Sequence, residues 1–150
     1  MTYSENKRAY HDFEIIETYE AGMVLEGHEV KAIKTGKISI IGSYVKVSGS
    51  EVFLIGAVIS PYQPKNTPKD YDPQRTRKLL LNKKEIAKLI GKTKERGLTI
   101  VPLKVYDKRG KVKLLIGLSK AKKKHDKREV IRKKEEKRKI ERVLKQYKEI

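Results

Sequence analysis

Hydrophobic positions along this chain recur with two periods, and the period changes where a glycine, a proline or a helix cap intervenes. "FEIIETYEAGMVLEG" reads as two short strands around a turn at Glu20, Ala21 and Gly22. In "HEVKAIKTG", Val30 and Ile33 stand one helical turn apart and Gly36 marks the stop, so a short helix follows. "SYVKVSGSEVFLIGAVI" alternates, turns at Ser-Gly-Ser and resumes as a more apolar strand, which predicts a hairpin. Residues 60–75, "SPYQPKNTPKDYDPQR", hold four of the five prolines and have no apolar period, so they are expected to form a long surface loop.

The next segment, "LLLNKKEIAKLIGKTKERG", has Asn82 placed as an N-cap, Glu85 three residues on, Ile86, Leu89 and Ile90 on one face, and Gly97 beyond the end. That is a capping box followed by a helix. "LTIVPLKVYDKRGKVKLLIGLS" then predicts two strands joined by a short turn ending in Gly110. About six antiparallel strands with two inserted helices fit a mainly β fold: a small closed antiparallel barrel of oligonucleotide-binding-fold type, which leaves no exposed edge. This domain is expected to span residues 1–119.

From Lys120 the pattern becomes that of helix formers without Gly or Pro. Ile140, Val143, Leu144 and Tyr147 share one side, whereas "RKKEEKRK" is charged all round. Residues 120–150 are therefore expected to be a basic C-terminal tail, disordered alone and helical when bound.

Charge sharpens this division. The net charge is +18, and the tail contributes fifteen Lys and Arg against six Asp and Glu, half of the total. The body is basic in its own right, and two basic surfaces imply an extended polyanion. Nucleic acid is the expected partner. A membrane is not, because the longest apolar stretch, "VFLIGAVI", is far too short to span one and the polar N-terminus is unlike a secretory signal. A cytoplasmic protein is the simplest reading. With no cysteine, disulfides, thiolate chemistry and most zinc sites are excluded.

Catalytic candidates are few. His11, His28 and His125 are scattered, no phosphate-cradling glycine loop is present, and Asp70 and Asp72 read as turn residues in a Pro-rich loop. No enzyme activity, cofactor or metal is expected. What remains suits binding: Tyr10, Phe13, Tyr44 and Tyr62 are interspersed with Asn6, Lys7, Arg8, Lys31, Lys34 and Lys37. Phe13 and Tyr44 read equally as core. Glu20 and Glu29, carboxylates in a basic region, would accept hydrogen bonds from base edges, orient an Arg or Lys, or simply face solvent. A stoichiometric ribosomal protein would share the basic body and tail. An RNA-cleaving or RNA-modifying enzyme would rest only on His11, His28 and the loop aspartates.

Three segments, "NKRAYHDFEIIETYEAGMVLEGHEVKAIKTGK", "RTRKLLLNKKEI" and "KAKKKHDKRE", occur in the order and spacing of one family. From Asn6 to roughly Arg142 the chain resembles small protein B (SmpB), the SsrA-binding proteins of bacterial trans-translation. The resemblance implies a monomeric RNA-binding protein, not an enzyme, whose partner is transfer-messenger RNA. It implies binding at the elbow of the tRNA-like domain, promotion of aminoacylation by alanyl-tRNA synthetase and of delivery with elongation factor Tu, both through the RNA, and entry into stalled ribosomes.

Carried over position by position, the resemblance implies an RNA-facing set of Asn6, Lys7, Glu20, Gly22, Glu29, Lys31, Gly36, Lys37, Leu80, Asn82, Lys111, Lys120, Lys122 and Lys123. Asn82 would alternatively act only as a cap and Leu80 as core. By the same resemblance His125, Asp126, Lys127 and Arg128 would meet small-subunit ribosomal RNA at the decoding centre. The imidazole would stack on a base, and Asp126 would cap a helix. Val143 and Leu144 would lie in the vacant mRNA channel. The chain departs from the family in Ala121, where a glycine is common, and in a short N-terminal extension.

Overall fold

The computed structural model describes residues 1–95, 97–122 and 134–142. Nine strands and three helices occupy the first two segments: β1 (Thr2–Glu5), α1 (Lys7–Asp12), β2 (Phe13–Met23), α2 (Gly27–Lys34), β3 (Ile38–Ser39), β4 (Tyr44–Ser48), β5 (Glu51–Ile55), β6 (Val58–Ile59), β7 (Arg77–Leu80), α3 (Lys83–Thr93), β8 (Leu98–Lys108) and β9 (Lys111–Ala121). Residues 134–142 are helical and exposed throughout. The mainly β, antiparallel reading holds. Among the described residues no helix is long and apolar enough to cross a membrane.

The expected closed barrel is not formed. Seven strands make one antiparallel sheet in the order β1-β8-β9-β2-β7-β5-β4, with β1 and β4 as edges, and among the described residues β3 pairs only with β6. The gap has a local cause. Ile40 to Ser43 fold into a turn in which the Ser43 amide donates to Ile40 O at 3.1 Å, so β3 stops after two residues. Where a ladder to β1 would have continued, the Ile40 amide donates instead to Ser4 Oγ at 3.4 Å. One core nevertheless fills the concave side, with Ile33, Leu54, Leu79, Leu89, Leu114 and Ile116 fully or almost fully buried.

The β8–β9 hairpin is as the sequence indicates, and its tight turn places Arg109 at φ 52° and Gly110 at φ 82°, the left-handed pair that suits a two-residue hairpin. The β4–β5 hairpin also forms. The expected turn at Glu20 to Gly22 does not, since β2 runs unbroken for 11 residues and puts Tyr19, Ala21 and Met23 into the core while Glu20 and Gly22 point the other way. A β-bulge between Ile15 and Glu17 shifts the register, which is why the apolar pair Ile15–Ile16 breaks the alternation.

Asn82 caps α3: its side chain accepts from the Glu85 amide at 2.8 Å, and Glu85 Oε1 accepts from the Asn82 amide at 3.3 Å. Asn82→Ala is expected to cost about 1 kcal/mol of stability, read as a lower urea midpoint at unchanged slope. Asp72 is a turn residue, as read, with Oδ1 accepting from the Gln74 amide at 2.9 Å.

The Pro-rich segment is held down by a buried ion cluster. Arg77 and Glu29 are both fully buried. Glu29 Oε2 accepts from Arg77 Nη2 at 2.7 Å and Nε at 3.1 Å and from the Tyr71 hydroxyl at 3.0 Å, while Oε1 accepts from the Glu26 amide at 2.9 Å and from Arg75 Nη2. Arg77 Nη1 further donates to Ala57 O at 2.8 Å and Nη2 to Pro73 O at 3.0 Å. Burial by itself would raise the Glu29 pKa, but the bonds from Arg75, the Glu26 amide and Arg77 outweigh it and bring the carboxyl down to about 2.

Candidate nucleic-acid interface

Strand pleating divides the sheet into a concave apolar face and a convex face. Near the start of β2 the convex face is roofed by α1, whose Ala9 packs with Val101, Leu103, Phe13, Ile15 and Leu115. Beyond Leu115 it is open. There Tyr106 stands opposite Lys113, Lys113 opposite Gly22, and Gly22 opposite Leu80, a row across four strands, with Lys104, Leu115 and Glu20 in the row beside it.

A groove of about 410 Å³ opens at this end, with Gly22, Leu25, Val30, Leu80, Lys111 and Lys113 among its walls. Gly22 favours close approach: a Cβ there would lie 3.3 Å from Leu80 Cβ, a tight contact that would push Leu80 back by a few tenths of an ångström. Lys34 of α2 bounds the groove by donating to Gly110 O at 3.0 Å. Apolar walls below a lysine rim suit a flat base above and phosphate beside it.

Of the residues expected to face RNA, Gly22, Leu80 and Lys111 meet in this groove, with Glu20 in the next row. Leu80 is 53% exposed, so it is not core. Glu20 is held below the usual carboxylate range by a hydrogen bond from Tyr106 and then by Lys108. Asn6, Lys7 and Lys122 form a second group around α1, whereas Lys120 stands on the other face of β9, in a groove beside α3 with Ile16, Lys92 and Leu98. Asn6 Nδ2 donates to Pro102 O at 3.1 Å, and Lys122 Nζ donates to Tyr10 O at 3.2 Å. Lys7 and Lys120 are exposed.

Lys31 is exposed on α2. Gly36, at φ 82°, ends that helix, with its amide bonded to Ile33 O and that of Lys37 to Ala32 O. Lys37 Nζ donates to Pro61 O at 3.3 Å and Tyr62 O at 3.2 Å, so it also fastens the Pro-rich loop. Asn82 is exposed while capping α3.

Glu29 requires correction as a direct contact. Its carboxylate has no exposed surface and every bond it makes is internal, so no base edge reaches it. Orienting an arginine is the part of the sequence reading that it fulfils. Tyr44 is 53% exposed and Tyr10 46%, whereas Phe13 packs under α1. Lys123, His125, Asp126, Lys127, Arg128, Val143 and Leu144 lie outside the described residues.

Sequence reasoning passed over Tyr106, Lys104, Lys108 and Lys113. A signal was present: Lys104, Tyr106 and Lys108 recur every second residue, as do Lys111 and Lys113, which marks one polar face in each strand. Among the described residues no cluster of three or more His, Asp or Glu is arranged to hold a metal ion.

Known proteins share this chain over nearly its whole length. The family model described as SmpB protein matches residues 3–146. An SsrA-binding protein of Anoxybacillus flavithermus is 54% identical over 143 residues, covering 95% of this chain and 92% of the relative. One from Bacillus pumilus is 54% identical over 141 residues, covering 94% and 90%, and one from Thermosynechococcus vestitus is 47% identical over 143, covering 95% and 94%. A chain of the solved structure described as "tmRNA-SmpB: a journey to the center of the bacterial ribosome" superposes with a TM-score of 0.65 at 46% identity, covering 85% of this chain and 93% of that one.

Proposed function

Because the chain belongs to the SmpB family of SsrA-binding proteins, which bind RNA and are not enzymes, we propose that it is a two-surface adaptor of ribosome rescue. The body grips the tRNA-like domain of transfer-messenger RNA, and the tail tests whether the mRNA channel is vacant. The observation that carries this reading is the open half of the convex face, where a glycine-lined groove with apolar walls is rimmed by Lys111 and Lys113. Glu20, Gly22, Leu80 and Lys111 are the contacts at the groove. Asn6, Lys7 and Lys122 continue the contact around α1, with Lys123 beyond, Lys120 adds a cation on the α3 side, and Lys31, Lys37 and Asn82 border the groove.

Aminoacylation by alanyl-tRNA synthetase and delivery with elongation factor Tu act through the RNA, which the body braces as a monomer. On the ribosome, His125 stacks on a base at the decoding centre, Asp126 favours a helix start, and Lys127 and Arg128 hold phosphates. Val143 and Leu144 give the tail an apolar side inside the channel. An intact message occupies the same space, so tail entry reports its absence.

The body's part is tested by titrating the tRNA-like domain with the purified chain at several salt concentrations. The double variant Lys111→Ala, Lys113→Ala is expected to bind more weakly and to flatten the log–log salt dependence by about 1 to 2. An unchanged slope would mean that the RNA lies elsewhere.

A further inference from the structure

Beside the groove, among the cations of the open convex face, the carboxylate of Glu20 is not loose. Glu20 Oε2 accepts from the Tyr106 hydroxyl, and Oε1 accepts from Lys108 Nζ at 3.0 Å, both partners reaching from β8 across β9. The Tyr106 ring is itself steadied, with Lys104 Nζ 5.3 Å from its centroid. A third of the Glu20 side chain is exposed, and its oxygens have acceptor capacity left for a ligand.

Neutralising Lys108 would need no tyrosine, because a hydroxyl adds direction and no charge. Phosphate repels a carboxylate, so an ion held still in a phosphate-binding face is suited to groups that phosphate is not: the N–H donors of a base edge. The major groove of paired RNA does not admit side chains and its shallow minor groove is recognised mostly by shape, so specific recognition falls on an unpaired base in a loop, which makes such a base the ligand.

Resting on the RNA-binding reading above, we propose that Tyr106 and Lys108 are positioning residues that fix Glu20 as an acceptor for the N–H groups of an unpaired base. Strand β8 thereby takes part in distinguishing one RNA from another.

The test uses the full chain with Tyr106→Phe, Glu20→Ala, the double variant and Lys108→Met, titrated against the tRNA-like domain and against an unrelated hairpin of equal length. Tyr106→Phe keeps the ring. It is expected to weaken binding of the tRNA-like domain about tenfold, the effect of losing one hydrogen bond to a charged group, with the unrelated hairpin unaffected. Lys108→Met should narrow the same preference. In the Glu20→Ala background, Tyr106→Phe should change affinity by no more than about twofold, because the group it orients is gone. Equal losses for both RNAs, or a full additional loss in that background, would overturn the positioning role. A wild-type chain that prefers the tRNA-like domain, paired with a Tyr106→Phe variant that keeps that preference, overturns this inference alone. A wild-type chain without the preference overturns the functional reading, and the positioning role with it.

Discussion

Glu29→Ala is expected to cost about 3 to 5 kcal/mol of folding stability, a large share of the 5 to 15 kcal/mol typical of a domain. The cost comes less from the lost contacts than from what remains. Arg77 is fully buried and would keep its charge with only the Ala57 and Pro73 carbonyls and the Tyr71 hydroxyl around it. Glu29→Gln keeps the shape and one acceptor, so it should fall between wild type and Glu29→Ala in urea midpoint. Burial opposes the Glu29 charge, but the guanidinium groups prevail and hold its pKa at about 2 against an ordinary 4.5. A depressed carboxyl contributes stability that is fully present above its unfolded pKa and is lost as pH falls through the folded one. The wild-type advantage over Glu29→Gln should therefore be complete above pH 4.5 and shrink toward pH 2. An advantage that stayed constant across that window would mean that the fold does not lower the Glu29 pKa.

The loss would reach the interface through the backbone. Tyr71, Arg75 and Arg77 belong to the Pro-rich segment and the strand after it, and all three bond to a residue of α2, the helix that supplies Val30 to the groove. Salt-dependent RNA binding and resistance to unfolding should therefore weaken together in Glu29 variants, whereas groove lysine variants should weaken binding alone.

The places where the sequence was legible are those whose determinants are local. The Asn82–Glu85 box, the Arg109–Gly110 turn and the Ser-Gly-Ser turn each rest on a few adjacent residues, and each formed where expected. Strands β1 and β3 are short and draw their pairing from β8 and β6, distant in the chain, so no local period announces them. At Glu20–Gly22 a charge and a glycine two residues on look like a turn, although β2 continues through them. The glycine is there instead to admit Leu80 from β7. Glu29 failed for the same reason at longer range, since its side-chain partners Tyr71, Arg75 and Arg77 lie 42 to 48 residues away and nothing near it in sequence marks it as buried. The site set came from family resemblance, which carries residue identity but not solvent exposure. That is why it kept Glu29 and omitted Tyr106.

Removing residues 130–150 should leave binding of free transfer-messenger RNA near the wild-type level at physiological salt and abolish peptide tagging on stalled ribosomes. The deleted stretch carries nine Lys and Arg and four Asp and Glu, so the remaining chain still holds most of its +18 charge, and every groove residue is intact. What is lost on free RNA is long-range attraction, which fades beyond a Debye length of about 8 Å at 0.15 M salt. The truncated chain should consequently associate more slowly only at low ionic strength. On the ribosome the loss is of another kind. A vacant channel is recognised by filling it, and a body without its tail has nothing of the right length to put there. Equal collapse of free-RNA affinity and tagging would show that tail and body grip the same RNA as one surface. Undiminished tagging would show that vacancy is sensed by the body.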